Sequence, residues 1–256
     1  MWDAVDTLVD LFAAAQAMDA TRPFVTFYDD ATGERVELSY TSFGNWVAKT
    51  ANLLQEGLAV AAGESVSVLL PVHWQTLVWL MACWEARVVA VPGGDPAESD
   101  HAVSGPADLD ALQRSPGERV ALSLRPLGGR FEPPHIKPLP EGVLDYAVEV
   151  PAYGDQALRM AGPPRPDDPA ARVAGRTYTH AALATHGRDR AAALGLDQGA
   201  RVLTDLDART LDGLAGSMLA PLAVGGSVVL CSNLDRSQIE RRVTVERVTH
   251  LVLGEG

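Results

Sequence analysis

A chain of 256 residues with 47% hydrophobic residues carries enough apolar material for one large folded domain or two packed halves, and too much for a disordered chain. Its formal net charge of −12 excludes nucleic acid as the expected partner, because displacing counterions from a polyanion needs clustered positive charge. No apolar run reaches the roughly 18–20 residues that span a bilayer, and MWDAVDTLVDLF carries acids where a secretory signal carries lysine or arginine, so no membrane partner and a cytoplasmic address are expected.

In chain order, residues 3–18 predict a helix with an apolar stripe of Val5, Leu8, Val9, Leu11 and Phe12. Phe24–Asp29 reads as a strand, with DDATGERVELSY turning into its hairpin partner. Thr41 is placed to cap a helix running to Gly57. SVSVLL (65–70), a helix from Trp74 to Ala86 and a strand over 88–91 form a strand–helix–strand unit, which predicts a parallel pair. Further on, residues 108–113 read as helical, 119–124 and 146–150 as strands, and FEPPHIKPLP (131–140) as a proline-rich loop. Order returns as helix 180–194, strand 202–205, helix 213–224, strand 227–231, helix 236–247 and strand 250–253. This alternation predicts an α/β fold with mostly parallel sheet.

The chemistry-bearing residue types are sparse. Cys83 and Cys231 sit in apolar runs and read as buried reduced thiols. His180 and His186 fall on different helix faces, and neither HExxH nor CxxC occurs, so no metal site is expected. Asp205, Asp207 and Asp212 lack the glycine and terminal glutamate of a calcium loop. Ser217, in GLAGSMLAP, does not satisfy the GxSxG nucleophile elbow and reads as a small residue in helix packing. His73 and Trp74 open an apolar helix and read either as pocket residues or as packing. Pro92-Gly93-Gly94-Asp95 is either a ligand loop at the carboxyl end of a strand or a bare turn.

Two blocks of the chain resemble the adenylate-forming superfamily of acyl-CoA synthetases, peptide-synthetase adenylation domains and luciferases. One is ELSYTSFGNWVAKTANLLQ with GLAVAAGESVSVLLPVHWQTLVWLMACWEARVVAVPGGD. The other is TYTHAALATHGRDRAAALGLDQGARVL with MLAPLAVGGSVVL and ERVTHLVLG. The resemblance implies an acetyl-CoA synthetase-like N-terminal domain of two packed α/β subdomains, one of about 1–60 plus 177–256 and the other of about 61–176, with a cleft between them. It also implies carboxylate activation by ATP, which the family performs with three recognisable parts.

The first is a loop of the form YTSGTTGxPKG ahead of a TH pair, whose hydroxyls, amides and lysine hold phosphates. Here the acidic lead-in stands as Asp167-Asp168-Pro169-Ala170 and the follow-on as Gly175 through Thr179-His180, with Ala174 in the lysine's place. No GxxxxGK[ST] replaces it, and the lysines are Lys49 and Lys137. The second part is an aromatic or histidine acyl lining, where this chain has Arg209, Thr210, Leu211 and Asp212. The third, a YGxTE motif and a lid domain with a catalytic lysine, does not occur before HLVLGEG. Losing one preorganised donor typically costs about 3–4 kcal/mol of transition-state stabilisation, and this chain lacks a set of them.

The expectation is therefore a non-catalytic homologue acting as a binding or interaction protein, with no catalytic residues. One alternative is a module that binds AMP, ATP, CoA or an acyl-adenylate without turnover, through a residual cleft of Thr179, His180, Arg209, Thr210 and Asp212. Thr179 also reads as a helix cap. Another alternative is a synthetase fragment completed by a second chain. The expected partner is another protein or a second copy in a homodimer, with a small-molecule ligand in the cleft; no cofactor is supported by a motif.

Overall fold

A computed structural model describes residues 6–131 and 138–254. The first helix, α1 (Leu8–Met18), is capped by Thr7, whose hydroxyl accepts from the Asp10 amide at 3.0 Å; residues 3–5 of the expected helix lie outside the described residues. Strands β1 (Pro23–Asp29) and β2 (Glu34–Ser39) pair antiparallel as the turn residues predict. Helix α2 (Tyr40–Asn52) is capped by Ser39 rather than Thr41. Ser39 has the extended backbone a cap needs, whereas Thr41 is already inside the first turn and donates its hydroxyl to Ala20 O at 3.0 Å.

The unit β3 (Ser65–Leu69), α3 (Trp74–Glu85), β4 (Val89–Pro92) forms with its two strands parallel. Every residue of α3 is buried, including Trp74, Trp79 and Trp84. A helix apolar on nearly all sides has to be surrounded, and α3 packs against α2, α1 and strands of both sheets. Two of its polar side chains find backbone partners: Thr76 donates to Pro71 O at 2.6 Å, and the Trp84 indole donates to Ala170 O at 3.0 Å, whereas the Trp74 and Trp79 indoles and Gln75 Oε1 have no partner among the described residues.

Strand β5 (His101–Ser104) is too short and weakly patterned to be read from sequence, and β6 (Arg119–Ala121) and β7 (Leu144–Asp145) follow it. Residues 146–150, expected as a strand, instead form helix α4 (Tyr146–Glu149) and a 3-10 turn. Asp145 caps it by accepting from the Ala147 amide at 3.0 Å, and the Tyr146 ring is buried with its hydroxyl 2.6 Å from Thr50 Oγ1. A cap and one long-range anchor thus override a locally β-prone run. Of the proline-rich loop, residues 132–137 lie outside the described residues.

Strands β8 (Pro169–Val173) and β9 (Arg176–Thr179) form an antiparallel hairpin, after which come α5 (His180–Ala193), β10 (Arg201–Thr204), α6 (Leu211–Leu214) and α7 (Ala220–Ala223). A π-type turn over Ala215–Leu219 joins α6 to α7. The chain continues as β11 (Ser227–Ser232), α8 (Ile239–Glu246) and β12 (His250–Val252).

Two sheets result, ordered β12-β10-β11-β1-β2 and β7-β6-β5-β3-β4-β8-β9. Both are parallel except for the β1–β2 and β8–β9 hairpins at an edge of each. The fold is the expected α/β class. The chain passes from the second sheet into the helices of the first at Thr179-His180. No helix among the described residues is long and apolar enough to cross a membrane.

Candidate functional site

A cavity of about 640 Å³ is a cleft with three walls. One wall is the carboxyl end of β4, continuing as Pro92-Gly93-Gly94-Asp95 and the turn to Ser99. A second is the tip of the β8–β9 hairpin, from Arg172 to Gly175, with Tyr178. The third is the segment Asp207–Leu211 that follows β10. Carboxyl ends of parallel strands are where open α/β sheets bind ligands, since the chain must leave the sheet there and opens a crevice.

The first wall is a rigid turn. Gly93 has φ +66° and donates its amide to Val68 O at 2.9 Å, while the Gly94 amide goes to Val91 O at 3.1 Å. Neither amide is therefore free to cradle an anion. Asp95 accepts from the Ala97 amide at 2.9 Å and pairs with Arg114 at 2.8 Å; these bonds, first the amide and then the guanidinium, hold its carboxyl below the usual range. Ser99 is buried at the cleft, and its hydroxyl has no partner among the described residues.

The hairpin wall answers the question raised by the missing phosphate loop. Val173 pairs with Arg176, leaving Ala174 and Gly175 as the whole turn, both at positive φ of 48° and 75°. Two central residues with positive φ are the requirement of a type I′ turn, whose twist matches its flanking strands. Where the resemblance places a glycine- and hydroxyl-rich loop, this chain has a tight two-residue turn.

The third wall carries the polar residues. Asp207 accepts from the Arg209 amide at 2.9 Å and from Arg209 Nε at 2.7 Å, so the guanidinium is tied to its own turn. Thr210 caps α6 by accepting from the Gly213 amide at 3.0 Å. Arg172 donates to Glu98 O at 3.2 Å. The ionisable lining is Asp95, Glu98 and Asp207 against Arg172 and Arg209, three acids to two bases.

Arg209 and Thr210 thus lie in the cleft together. Asp212, exposed in the first turn of α6, is not part of its lining. Thr179 and His180 are also outside that lining. Thr179 caps α5, accepting from the Ala182 amide at 3.2 Å. His180 is fully buried, neither ring nitrogen has a hydrogen-bond partner among the described residues, and burial pushes its pKa down to about 4. Arg172 and Tyr178, which sequence reasoning passed over, line the cleft because the hairpin turns them into it. The signal available was the paired Val173/Arg176 flank around a two-residue Ala-Gly turn.

Several other candidates resolve into structure. His73 caps α3, its ring packs edge-on to Phe27 at 4.5 Å, and burial pushes its pKa to about 3. Ser217 donates to Gly213 O at 2.7 Å within its own helix. Cys83 and Cys231 are buried, with thiols pushed up to about 12 and about 11. Asp205 accepts from the Gly254 amide at 2.7 Å, and no group of three His, Cys, Asp or Glu among the described residues is arranged to hold a metal ion.

The class of protein follows from this fold and from comparison. Residues 12–102 match the family model of the AMP-binding enzymes. The crystal structure of an acyl-CoA synthetase from Brucella canis superposes with a TM-score of 0.74 at 16% identity, over 95% of this chain and 47% of that one. The fold is that of the adenylate-forming superfamily, and the chain spans about half the length of that synthetase. More particularly, the chain is 37% identical over 238 residues to a "TIGR03089 family protein" of Mycobacterium tuberculosis (strain ATCC 25618 / H37Rv), covering 91% of this chain and 93% of that protein. The chain belongs to the TIGR03089 family.

Proposed function

We propose that this chain is a non-catalytic member of the adenylate-forming fold, acting in the cytoplasm as a binding protein whose cleft takes a small ligand. The observation that carries the reading is the two-residue turn Ala174-Gly175, which stands at the cleft in place of a phosphate-holding loop. The surrounding chemistry supports it. Phosphates bind where several free amides and cations converge. Here the Gly93 and Gly94 amides are spent on carbonyls, Arg209 is tied to Asp207, and acids outnumber bases along the lining. The apolar part of the lining, with Val91, Pro92, Tyr178 and Leu211, suits a ligand with an uncharged body.

The test combines calorimetric titration with ATP, AMP and CoA and an assay for pyrophosphate release in the presence of carboxylic acids. The reading expects neither ATP binding nor pyrophosphate. Pyrophosphate release by the purified chain alone would overturn it. AMP or CoA binding without turnover would replace it with the nucleotide-binding module, and release only with a second protein present would favour a divided synthetase.

A further inference from the structure

Most of the charges lining the cleft cancel in pairs. Asp95 is held by Arg114 at 2.8 Å, and Asp207 by Arg209 Nε at 2.7 Å. Arg172 and Glu98 are left over. Arg172 donates through Nη1 to the Glu98 carbonyl oxygen at 3.2 Å, which brings the guanidinium alongside that residue. Even so, among the described residues Arg172 forms no ion pair, and the Glu98 carboxylate accepts no hydrogen bond.

A cation and an acid set side by side, each without a charged partner, discriminate among head groups. A carboxylate that approaches Arg172 also meets the like charge of Glu98, and an ammonium that approaches Glu98 also meets Arg172. A zwitterion satisfies both, but it must shed the hydration of two charges to reach side chains that are exposed at Glu98 and half-buried at Arg172, where ion pairs return little. A primary carboxamide is neutral and carries an acceptor and two donors on one planar head. Its carbonyl can accept from Arg172 while its N–H donates to Glu98, each bond strengthened by the charged protein group. Next to these two groups, Val91, Pro92, Val173 and Leu211 offer an apolar wall, and the Tyr178 ring, with Arg176 over it at 5.0 Å, offers an aromatic surface.

Taking the cleft as the non-catalytic binding site proposed for it, we infer that its ligand is a primary carboxamide on an apolar or aromatic body, with Arg172 and Glu98 as the residues that select the amide head. Arg172 reads the carbonyl and rejects amines; Glu98 reads the N–H and rejects acids.

Calorimetric titration of the full chain with benzamide, benzoate, benzylammonium and phenylglycine tests this, at about 0.15 M salt so that long-range attraction to the net charge of −12 is screened. The four probes share the aromatic body and differ in head group. Benzamide is expected to bind tighter than each of the others by roughly 5-fold or more, the effect of one hydrogen bond kept or lost. In Glu98→Gln the preference over benzoate should fall, and in Arg172→Gln the preference over benzylammonium should fall, because each substitution removes the charge that rejects that probe. Neither side chain is buried, so the variants fold, and unchanged far-UV circular dichroism checks this. No binding of benzamide, equal or tighter binding of the acid, the amine or the amino acid, or a preference unmoved in either variant overturns the carboxamide assignment. Pyrophosphate release from ATP in the presence of benzoate, assayed in parallel, would overturn the non-catalytic reading instead.

Discussion

The aliphatic stem of Arg209 lies on Gly93 across the mouth of the cleft, so that a β-carbon at Gly93 would come 3.0 Å from Arg209 Cδ and 3.1 Å from Cγ. This contact joins the carboxyl end of β4 to the segment after β10 and closes one side of the candidate site. Gly93 also has φ +66°, a conformation that disfavours any residue with a β-carbon. Gly93→Ala is expected to cost about 1–2 kcal/mol from the left-handed backbone alone, with an added cost from crowding. In urea unfolding, pairing it with Arg209→Ala should return the crowding part, giving a coupling of about 0.5 kcal/mol or more. Simple additivity would show that the two walls do not press on each other.

Ala174 is the mirror case, a residue with a β-carbon where glycine would be easier. It holds φ 48° in the turn that replaces the expected loop. Ala174→Gly should stabilise the protein by about 0.5–1 kcal/mol, the relief of strain being partly offset by the freer unfolded chain. Ala174→Val should destabilise it, because a branched side chain tolerates this backbone least. Paired chemical denaturation curves distinguish the two directions.

His180 and His73 make the fold sensitive to mild acid. Burial holds their pKa values at about 4 and about 3, against an ordinary 6.5. As pH falls below 6.5 the unfolded chain takes up these protons first, so stability present at neutral pH is lost progressively down to about pH 4 and below. For His180 alone the loss is roughly 3 kcal/mol. Because neither His180 ring nitrogen has a partner among the described residues, His180→Leu should keep stability at pH 7 and flatten the curve between pH 6.5 and 4. Unfolding free energies measured across that range decide it; an unchanged acid limb would rule the assignment out.

Asp168 acts in a lower window. Burial would raise its carboxyl, but the bond from Arg87 at 2.8 Å and those from Arg165 outweigh it and hold the pKa at about 2. Its contribution is complete above the unfolded value of 3.8 and is lost as pH falls through 2, a loss of roughly 2 kcal/mol. Arg87→Ala leaves that carboxylate buried beside only Arg165, at a cost of about 2–4 kcal/mol. Thermal melts at pH 7 and pH 3 should show most of the Arg87→Ala penalty already at pH 7.

By itself the sequence determined the parts whose physics is local. Apolar content and β-branched runs marked β1, β3 and β4, and the unbroken apolar face of Trp74–Glu85 marked a helix that has to be enclosed. Proline and glycine marked the ends, and Ala174 before Gly175 marked a place where the expected phosphate loop is missing. Tertiary structure alone decided what those parts face. Tyr146 became helical because Asp145 caps it and a buried site near Thr50 receives its ring, neither of which is visible in its own β-prone run. Gly93, Arg172 and Arg209 share a cleft although they are far apart in the chain, while Thr179 and His180, read as partners in that cleft, turn to capping and core. Periodicity records which side of an element is apolar, but not which other element covers it. That choice is made by close packing across the whole chain, and it is the packing of β4, the β8–β9 hairpin and the segment after β10 that creates the site.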